Sequence, residues 1–324
     1  VDATGRIAKL PWTGQLRLTR EQAEQARVLA ARAVLQVNPS RKLGLAFEQG
    51  ADGLVAQLQG RDQPAFLIAR SPLDDLGFGA SGQTSLALRE SLGRWGLTVS
   101  AEHGAAQAAA RVNLATSASG QLPGVPASRF GLSLDRQLGD LDAALGASWL
   151  VEPDSILGAR FQHGFGASGA DSLFLDASAA WQFSPGWRLG GAWRSGFTFP
   201  HAGGLITAGS RLTSSAWAFD AQRIGVFASD DSLALRMSQP LRIASGGLSL
   251  NLPVDYSYAT LSPVYGQRLL SLAPKGREQD IELVWHGGLW NGTAMASLYY
   301  RKDPGHYANL PDDRGLAVSW NRRF

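Results

Sequence analysis

The chain has 324 residues, a formal net charge of +3, 38 glycines, 10 tryptophans and no cysteine. That length suits one large all-β unit or two ordinary domains. The small charge, with no basic cluster interleaved among stacking aromatics, argues against nucleic acid as a partner. No run approaches the ~18 consecutive apolar residues of a spanning helix, and the mean hydropathy lies close to zero. A β-barrel has this profile because only alternate residues meet lipid.

No N-terminal segment has the basic start and apolar core of a signal peptide. For an exported protein, Val1 is therefore expected to begin a processed or excised fragment. Residues 1–18 read as a linker from something upstream. Thr19 with Gln22 has the spacing of a capping box, and the Ala, Glu, Gln, Arg and Leu that follow are strong helix formers. Asn38-Pro39 ends the run. The expectation is a helix over 19–37, ~27 Å long, too polar for lipid, with Glu21, Glu24, Arg27 and Arg32 interleaved among alanines. Such a helix could thread a solvated barrel lumen, pack on a soluble domain, or serve as a linker.

From about residue 41 to 324 the chain alternates with period two. In 172–183, Leu173, Leu175, Ala177, Ala179, Trp181 and Phe183 oppose Ser172, Phe174, Asp176, Ser178, Ala180 and Gln182. Ser184-Pro185-Gly186 makes a turn, after which Trp187, Leu189, Trp193, Phe197 and Phe199 oppose Arg188, Gly190, Ala192 and Arg194. The same pattern recurs at 140–151, 231–238, 280–286 and 294–301. Segments of ~12 residues exceed the usual ~5–6 of globular strands and match a tilted crossing of ~9–11 residues plus a rim. Trp and Tyr gather near strand ends, as interfacial girdles require.

The predicted fold class is all-β, a transmembrane antiparallel β-barrel in the bacterial outer membrane. A soluble β-sandwich or a solenoid is the competing fold, disfavoured by strand length and by the absence of a fixed repeat. The raw pattern yields about 14–16 strand-like segments, a count inflated by short pieces such as 53–60 and 64–70. Connections at 137–140, 184–186 and 287–291 are tight, whereas 104–127 and 253–275 are long. Together with 303–312, the stretch 253–275 is expected to form external loops. Asp142, Asp176, Arg188, Arg194, Arg236, Glu282, Arg301 and Arg323 fall on the polar, lumen-facing side. There they must pair or stay wet.

The tail, Leu316 to Phe324, places Leu316, Val318, Trp320 and Phe324 on one apolar face and stops on an aromatic. This resembles the signal by which outer-membrane barrels are recognised for insertion, so the barrel-assembly machinery and membrane lipids are the expected partners of a monomer.

The five histidines, 103, 163, 201, 286 and 306, show no metal-ligand spacing, and no cofactor is expected. The Gly-rich run 164–169 lacks the following helix and Lys-Ser/Thr of a phosphate loop.

A helix followed by such a barrel resembles the translocator unit of a classical (type V) autotransporter. More specifically, four stretches resemble the C-terminal segments found after subtilisin-like serine peptidase domains in Gram-negative bacteria. They are Asp231 to Arg242 (DSLALRMSQPLR), Leu272 to Glu278 (LAPKGRE), Arg301 to His306 (RKDPGH) and Leu310 to Asp313 (LPDD). Gly60 to Leu67 (GRDQPAFL) and Leu92 to Leu97 (LGRWGL) are similar to the same family.

The resemblance implies about twelve strands, within the 12–16 range, and a barrel that exports or displays its own N-terminal passenger, a subtilisin-like protease. The chain itself carries none of that peptidase's motifs and is expected not to be an enzyme. A diffusion porin and a lipid-acting barrel enzyme are the competing functions.

Overall fold

The computed structural model describes residues 31–61, 64–107, 124–160 and 169–321. They form fourteen strands in one antiparallel sheet. The strands are β1 (Ala31–Asn38), β2 (Arg41–Phe47), β3 (Gly79–Leu92), β4 (Trp95–Gln107), β5 (Val125–Leu138), β6 (Leu141–Glu152) and β7 (Ala170–Ser184). They continue as β8 (Trp187–Pro200), β9 (Arg211–Ile224), β10 (Ser232–Ser257), β11 (Ser262–Ser271), β12 (Gln279–Leu289), β13 (Gly292–Lys302) and β14 (Asp313–Asn321). Each strand pairs with its sequence neighbour, except that β10 also pairs β12 and β11 lies off the path beside β10. The count among the described residues is fourteen, inside the expected 12–16 and above the twelve that the resemblance implies.

Two strands make the difference: β1, on a stretch expected to be helical, and β11, which pairs only with the long β10. Ser232 to Ser238 pairs with β12, whereas Gly247 to Ser257 pairs with β11. The distal half of β10 and all of β11 therefore form a hairpin that runs on beyond the register shared with β12. Residues 253–275, expected to be a loop, are largely this hairpin.

The sheet has an apolar outer face. On β8, Leu189, Trp193, Phe197 and Phe199 are exposed, while Arg194 beside them is fully buried. On β5, Phe130, Leu132 and Leu134 point outward while Arg129 and Asp135 are buried inside. This is the inverse of a water-soluble protein, in which exposed positions are the polar ones. Among the described residues no helix is long and apolar enough to cross a membrane, which says nothing of strands.

Short turns share one rim: 39–40, 93–94, 139–140, 185–186 and 290–291. Gly93, Gly139 and Gly186 have positive φ there, which tight hairpins require. The connection 225–231 lies on this rim too, while the connections after β2, β6, β8 and β13 share the opposite one, the usual asymmetry between periplasmic turns and external loops. At the short-turn rim, Arg136 lies 4.8 Å over Trp95 and Arg223 lies 5.2 Å over Trp187. These cation–aromatic pairs suit a headgroup interface.

The helix expected over 19–37 is corrected over its described part. Residues 31–37 are strand β1, paired with β2 from Ala31↔Phe47 to Gln36↔Lys42. Ala33, Leu35 and Val37 alternate with Arg32, Val34 and Gln36, and cross-strand pairing overrides local helix propensity. The described wall thus includes Ala31–Asn38, ahead of the start expected near 41. Glu21, Glu24 and Arg27 lie outside the described residues.

The connection between β2 and β3, residues 48–78, folds back into the lumen. It contains helix α1 (Ala51–Leu58) and a single 3-10 turn, Pro72–Asp74. Leu54, Val55 and Leu58 recur at helical spacing and pack on Ala46, Ala87 and Val34. Gly60, at φ 68°, ends the helix, with Gly60 N–H on Gln57 O and Arg61 N–H on Ala56 O. This one segment hydrogen-bonds to inward side chains of β4, β5, β7, β8, β10 and β12. A flat sheet cannot present strands so far apart to one short segment, so the sheet is rolled around it.

Candidate functional site

The lumen is where chemistry concentrates, and segment 48–78 is held in it at three points by buried charges. At the first, Glu102 Oε2 accepts Ala51 N–H at 2.9 Å, satisfying a free donor at the start of α1. Arg129 bridges Glu102 at 2.7 Å and Asp52 at 2.6 Å. At the second, Glu282, fully buried on β12, accepts Leu67, Ile68 and Ala69 N–H at 2.9, 2.7 and 2.8 Å, and Ser297 Oγ at 2.5 Å. Arg236 closes this end, its guanidinium 4.2 Å from the Phe66 ring.

At the third, Arg194 makes a two-pronged contact with Asp176 at 2.7 and 2.8 Å and donates to Asp75 O at 2.8 Å. The Asp75 carboxylate accepts Gly77 N–H and Leu241 N–H. Leu76 adds apolar packing against Leu150, Phe174, Ala216 and Leu241.

The lumen is therefore plugged by the β2–β3 connection; of the stretch 19–37 expected there as a helix, the described part, 31–37, belongs to strand β1. Of the expected lumenal charges, Asp176, Arg194, Arg236 and Glu282 face this plug directly. Arg188 pairs with Asp220, which Arg236 also engages, at 2.6 and 2.8 Å. Asp142 lines the lower lumen. Arg32, expected on a helix, sits on β1 and donates to Gln49 Oε1, Gly53 O and Gln57 Oε1. Arg323 and Phe324 lie outside the described residues, whereas Leu316, Val318 and Trp320 face outward on β14, 69%, 69% and 44% exposed.

Arg301 belongs to a second cluster, at the long-connection rim. Its guanidinium holds Glu278, whose other oxygen accepts Gly305 N–H at 2.6 Å. His306 accepts Glu278 N–H on Nδ1 at 2.9 Å and donates from Nε2 to Leu241 O at 3.0 Å. Arg242 donates to Gly276 O and Pro274 O at 3.0 and 2.6 Å, and Asp303 accepts Arg277 N–H at 3.0 Å. A Cβ on Gly276 would meet His306 O and Ala308 N at 2.5 Å, so only glycine fits. Burial lowers the His306 pKa, against the pull of Glu278 and Asp75.

Leu241 and Arg242, residues 274–278, residues 301–306 and Asp313, 3.6 Å from Arg301, thus meet in one clasp although far apart in sequence. Asp231, at the opposite end of β10, instead holds a turn by accepting Val226 and Phe227 N–H and Trp285 Nε1–H. Burial raises its pKa, and these donors more than offset that, leaving it below the ordinary value. Glu102, Arg129 and Asp75 escaped the sequence reading, and Glu278 and His306 entered it only as ends of two family stretches and, for His306, as one of five histidines. Glu102 and Arg129 carried a signal, as charges at lumen-facing positions of alternating strands.

An apolar outward face, aromatic ends, short turns on one rim and a polar plugged interior decide the class. The chain is an integral outer-membrane β-barrel. No family model matches it, and no curated protein matches it either. Among solved structures it is similar to OmpT (in-vitro folded), an outer membrane protein of Vibrio cholerae, at 8% identity and a TM-score of 0.38, over 75% of this chain and 60% of that one.

The expectation that this chain is not an enzyme is corrected here. That expectation leaned on the missing peptidase motifs, which exclude one mechanism only, and two histidines have polar side-chain partners. His103 Nδ1 lies 2.9 Å from Ser128 Oγ, and His201 Nε2 lies 3.1 Å from Asp171 Oδ2.

Proposed function

We propose that this barrel anchors and exports an N-terminal passenger, a translocator of the autotransporter kind. One observation carries the reading: β1 begins at Ala31 opposite Phe47, on the rim of the long connections. Ala31, the first residue of β1, thus sits at the rim assigned to the cell exterior, where a passenger would be displayed. The clasp supports the same reading, because parts of four stretches on which the family resemblance rests, at 241–242, 274–278, 301–306 and 313, interlock at that rim.

By that resemblance the passenger is a subtilisin-like protease. The partners are the passenger, outer-membrane lipids and the assembly machinery that would read the terminal strand.

The test is surface display. An epitope fused ahead of Val1, behind a cleavable signal peptide, should be digested by protease added to intact Gram-negative cells while the barrel stays protected. An epitope that becomes accessible only after the outer membrane is broken would overturn the reading.

A further inference from the structure

Three adjoining cavities run beside the plug from the upper lumen to the short-turn rim. The upper one, about 400 Å³, lies between α1 and the β5–β7 wall. The middle one, about 90 Å³, is bounded by Gly60, Asp142, Ser178 and Asp220. The lowest is lined by the turns at Gly93-Arg94 and Gly139, so it gives onto the rim itself. Arg61 lines all three. It leaves the end of α1 and reaches across the gap to donate to Ser178 Oγ on β7, a bar between plug and wall at mid-height.

The charges along this route are unequal. Eight arginines and five aspartates line the three cavities, with no lysine or glutamate among the described residues. Four of those aspartates are engaged by arginine: Asp135 by Arg89, Asp52 by Arg129, Asp176 by Arg194, and Asp220 by both Arg188 and Arg236. Asp142 is the remaining acid, and it borders the same narrow middle cavity as Arg61. A polar cleft lined by an excess of one sign, between low-dielectric walls, concentrates ions of the other sign.

We propose that the plugged barrel retains a permeation path for small hydrated inorganic anions between the plug and the wall, with Arg61 as its constriction and selectivity residue. Helix α1 and the three charged anchors hold the plug in place while the path passes beside it. An anion entering from the short-turn rim meets Arg94 and Arg89, then the gap spanned by Arg61 and Ser178, then the upper cavity below Arg129. Asp142 opposes anions at the narrowest level and limits the preference. This inference does not depend on passenger export, and either can fail alone.

The test uses the full chain refolded into planar bilayers under a potassium chloride gradient. The expected result is small discrete conductance steps with a reversal potential on the anion side. Arg61→Glu should move that potential toward cations, and Asp142→Asn should move it further toward anions. Absence of steps, or a reversal potential unchanged by Arg61→Glu, overturns the proposal.

The chain has no cysteine, so Ser178→Cys supplies a second readout with a minimal change of shape. A negatively charged methanethiosulfonate reagent should modify Cys at this position about tenfold faster than a positively charged one, at the low end of field focusing in charged clefts. Modification should also reduce the current. Equal rates, a faster cation, or no reaction in a heat-modifiable, folded barrel would likewise overturn it.

Discussion

Ala69 and Glu282, 213 residues apart in the chain, are joined by a 2.8 Å hydrogen bond from the Ala69 N–H to Glu282 Oε2. Leu67 and Ile68 donate to the same carboxylate, so one buried side chain on β12 terminates the backbone donors of a segment that left the wall after β2. Removing that carboxylate would leave these donors and Ser297 Oγ–H without their acceptor, at about 1–3 kcal/mol for each one that stays buried.

Glu282→Ala should therefore lower the barrel's unfolding free energy by about 3 kcal/mol or more. The measurement is denaturant unfolding in detergent, together with limited proteolysis, which should now cut within 64–78. A variant as resistant as the parent would mean that the plug is held by its apolar contacts alone.

Arg194 gives a second, independent lever. It is fully buried and engages both Asp176 and the Asp75 carbonyl. Arg194→Met leaves the Asp176 carboxylate without its ion-pair partner, which should cost about 3–5 kcal/mol. The double variant Arg194→Met/Asp176→Leu should recover most of that loss, since replacing both partners of a buried pair is often near neutral. A double variant as unstable as the single one would assign the effect to the lost Asp75 contact.

The wall was legible because its two faces differ so sharply. Leu173, Leu175 and Trp181 against Asp176 and Ser178 leave one register for β7. Strand β1 was not legible, since Ala31, Arg32, Leu35 and Gln36 favour a helix locally and only pairing with β2 decides otherwise. Segment 53–60 read as a strand fragment, although Leu54 with Leu58 and the Gly60 that follows carry a helical signal. The plug's anchors were invisible for a different reason. Lumen-facing charges at Arg194, Asp176 and Glu282 could be placed on a face, but their partners lie on a connection with no periodicity to place it.

The lipid face predicts an asymmetry between adjacent residues of one strand. Leu132 on β5 points outward, 51% exposed, and Ser133 faces the lumen, where it accepts Gln59 Nε2–H at 3.0 Å. Leu132→Arg should destabilise the barrel by about 2–4 kcal/mol, the cost of a basic side chain facing lipid near the bilayer midplane. Ser133→Arg enters a wet, polar cavity and should cost far less. Reversible unfolding in lipid vesicles measures both, and a reversed order would mean that the two faces of β5 are wrongly assigned.

The rim clasp should respond to pH through His306. Its Nδ1 accepts Glu278 N–H and its Nε2–H donates to Leu241 O, so the neutral imidazole satisfies both neighbours. Protonation would set a second N–H against the Glu278 donor. Burial lowers this pKa, Glu278 and Asp75 pull it up, and Arg242 pushes it down. The unfolded imidazole, with a pKa near about 6.5, then binds a proton that the folded one resists. Stability contributed by the clasp is present above about pH 6.5 and is lost as pH falls from there to the lowered folded value, levelling off below it. Amide exchange in 272–278 and 303–312, corrected for its intrinsic pH dependence, should accelerate over that window while the strands stay protected. His306→Gln, which can still donate and accept but does not titrate, should flatten the response. An unchanged pH profile in that variant would assign the effect to the carboxylates around Arg301 instead.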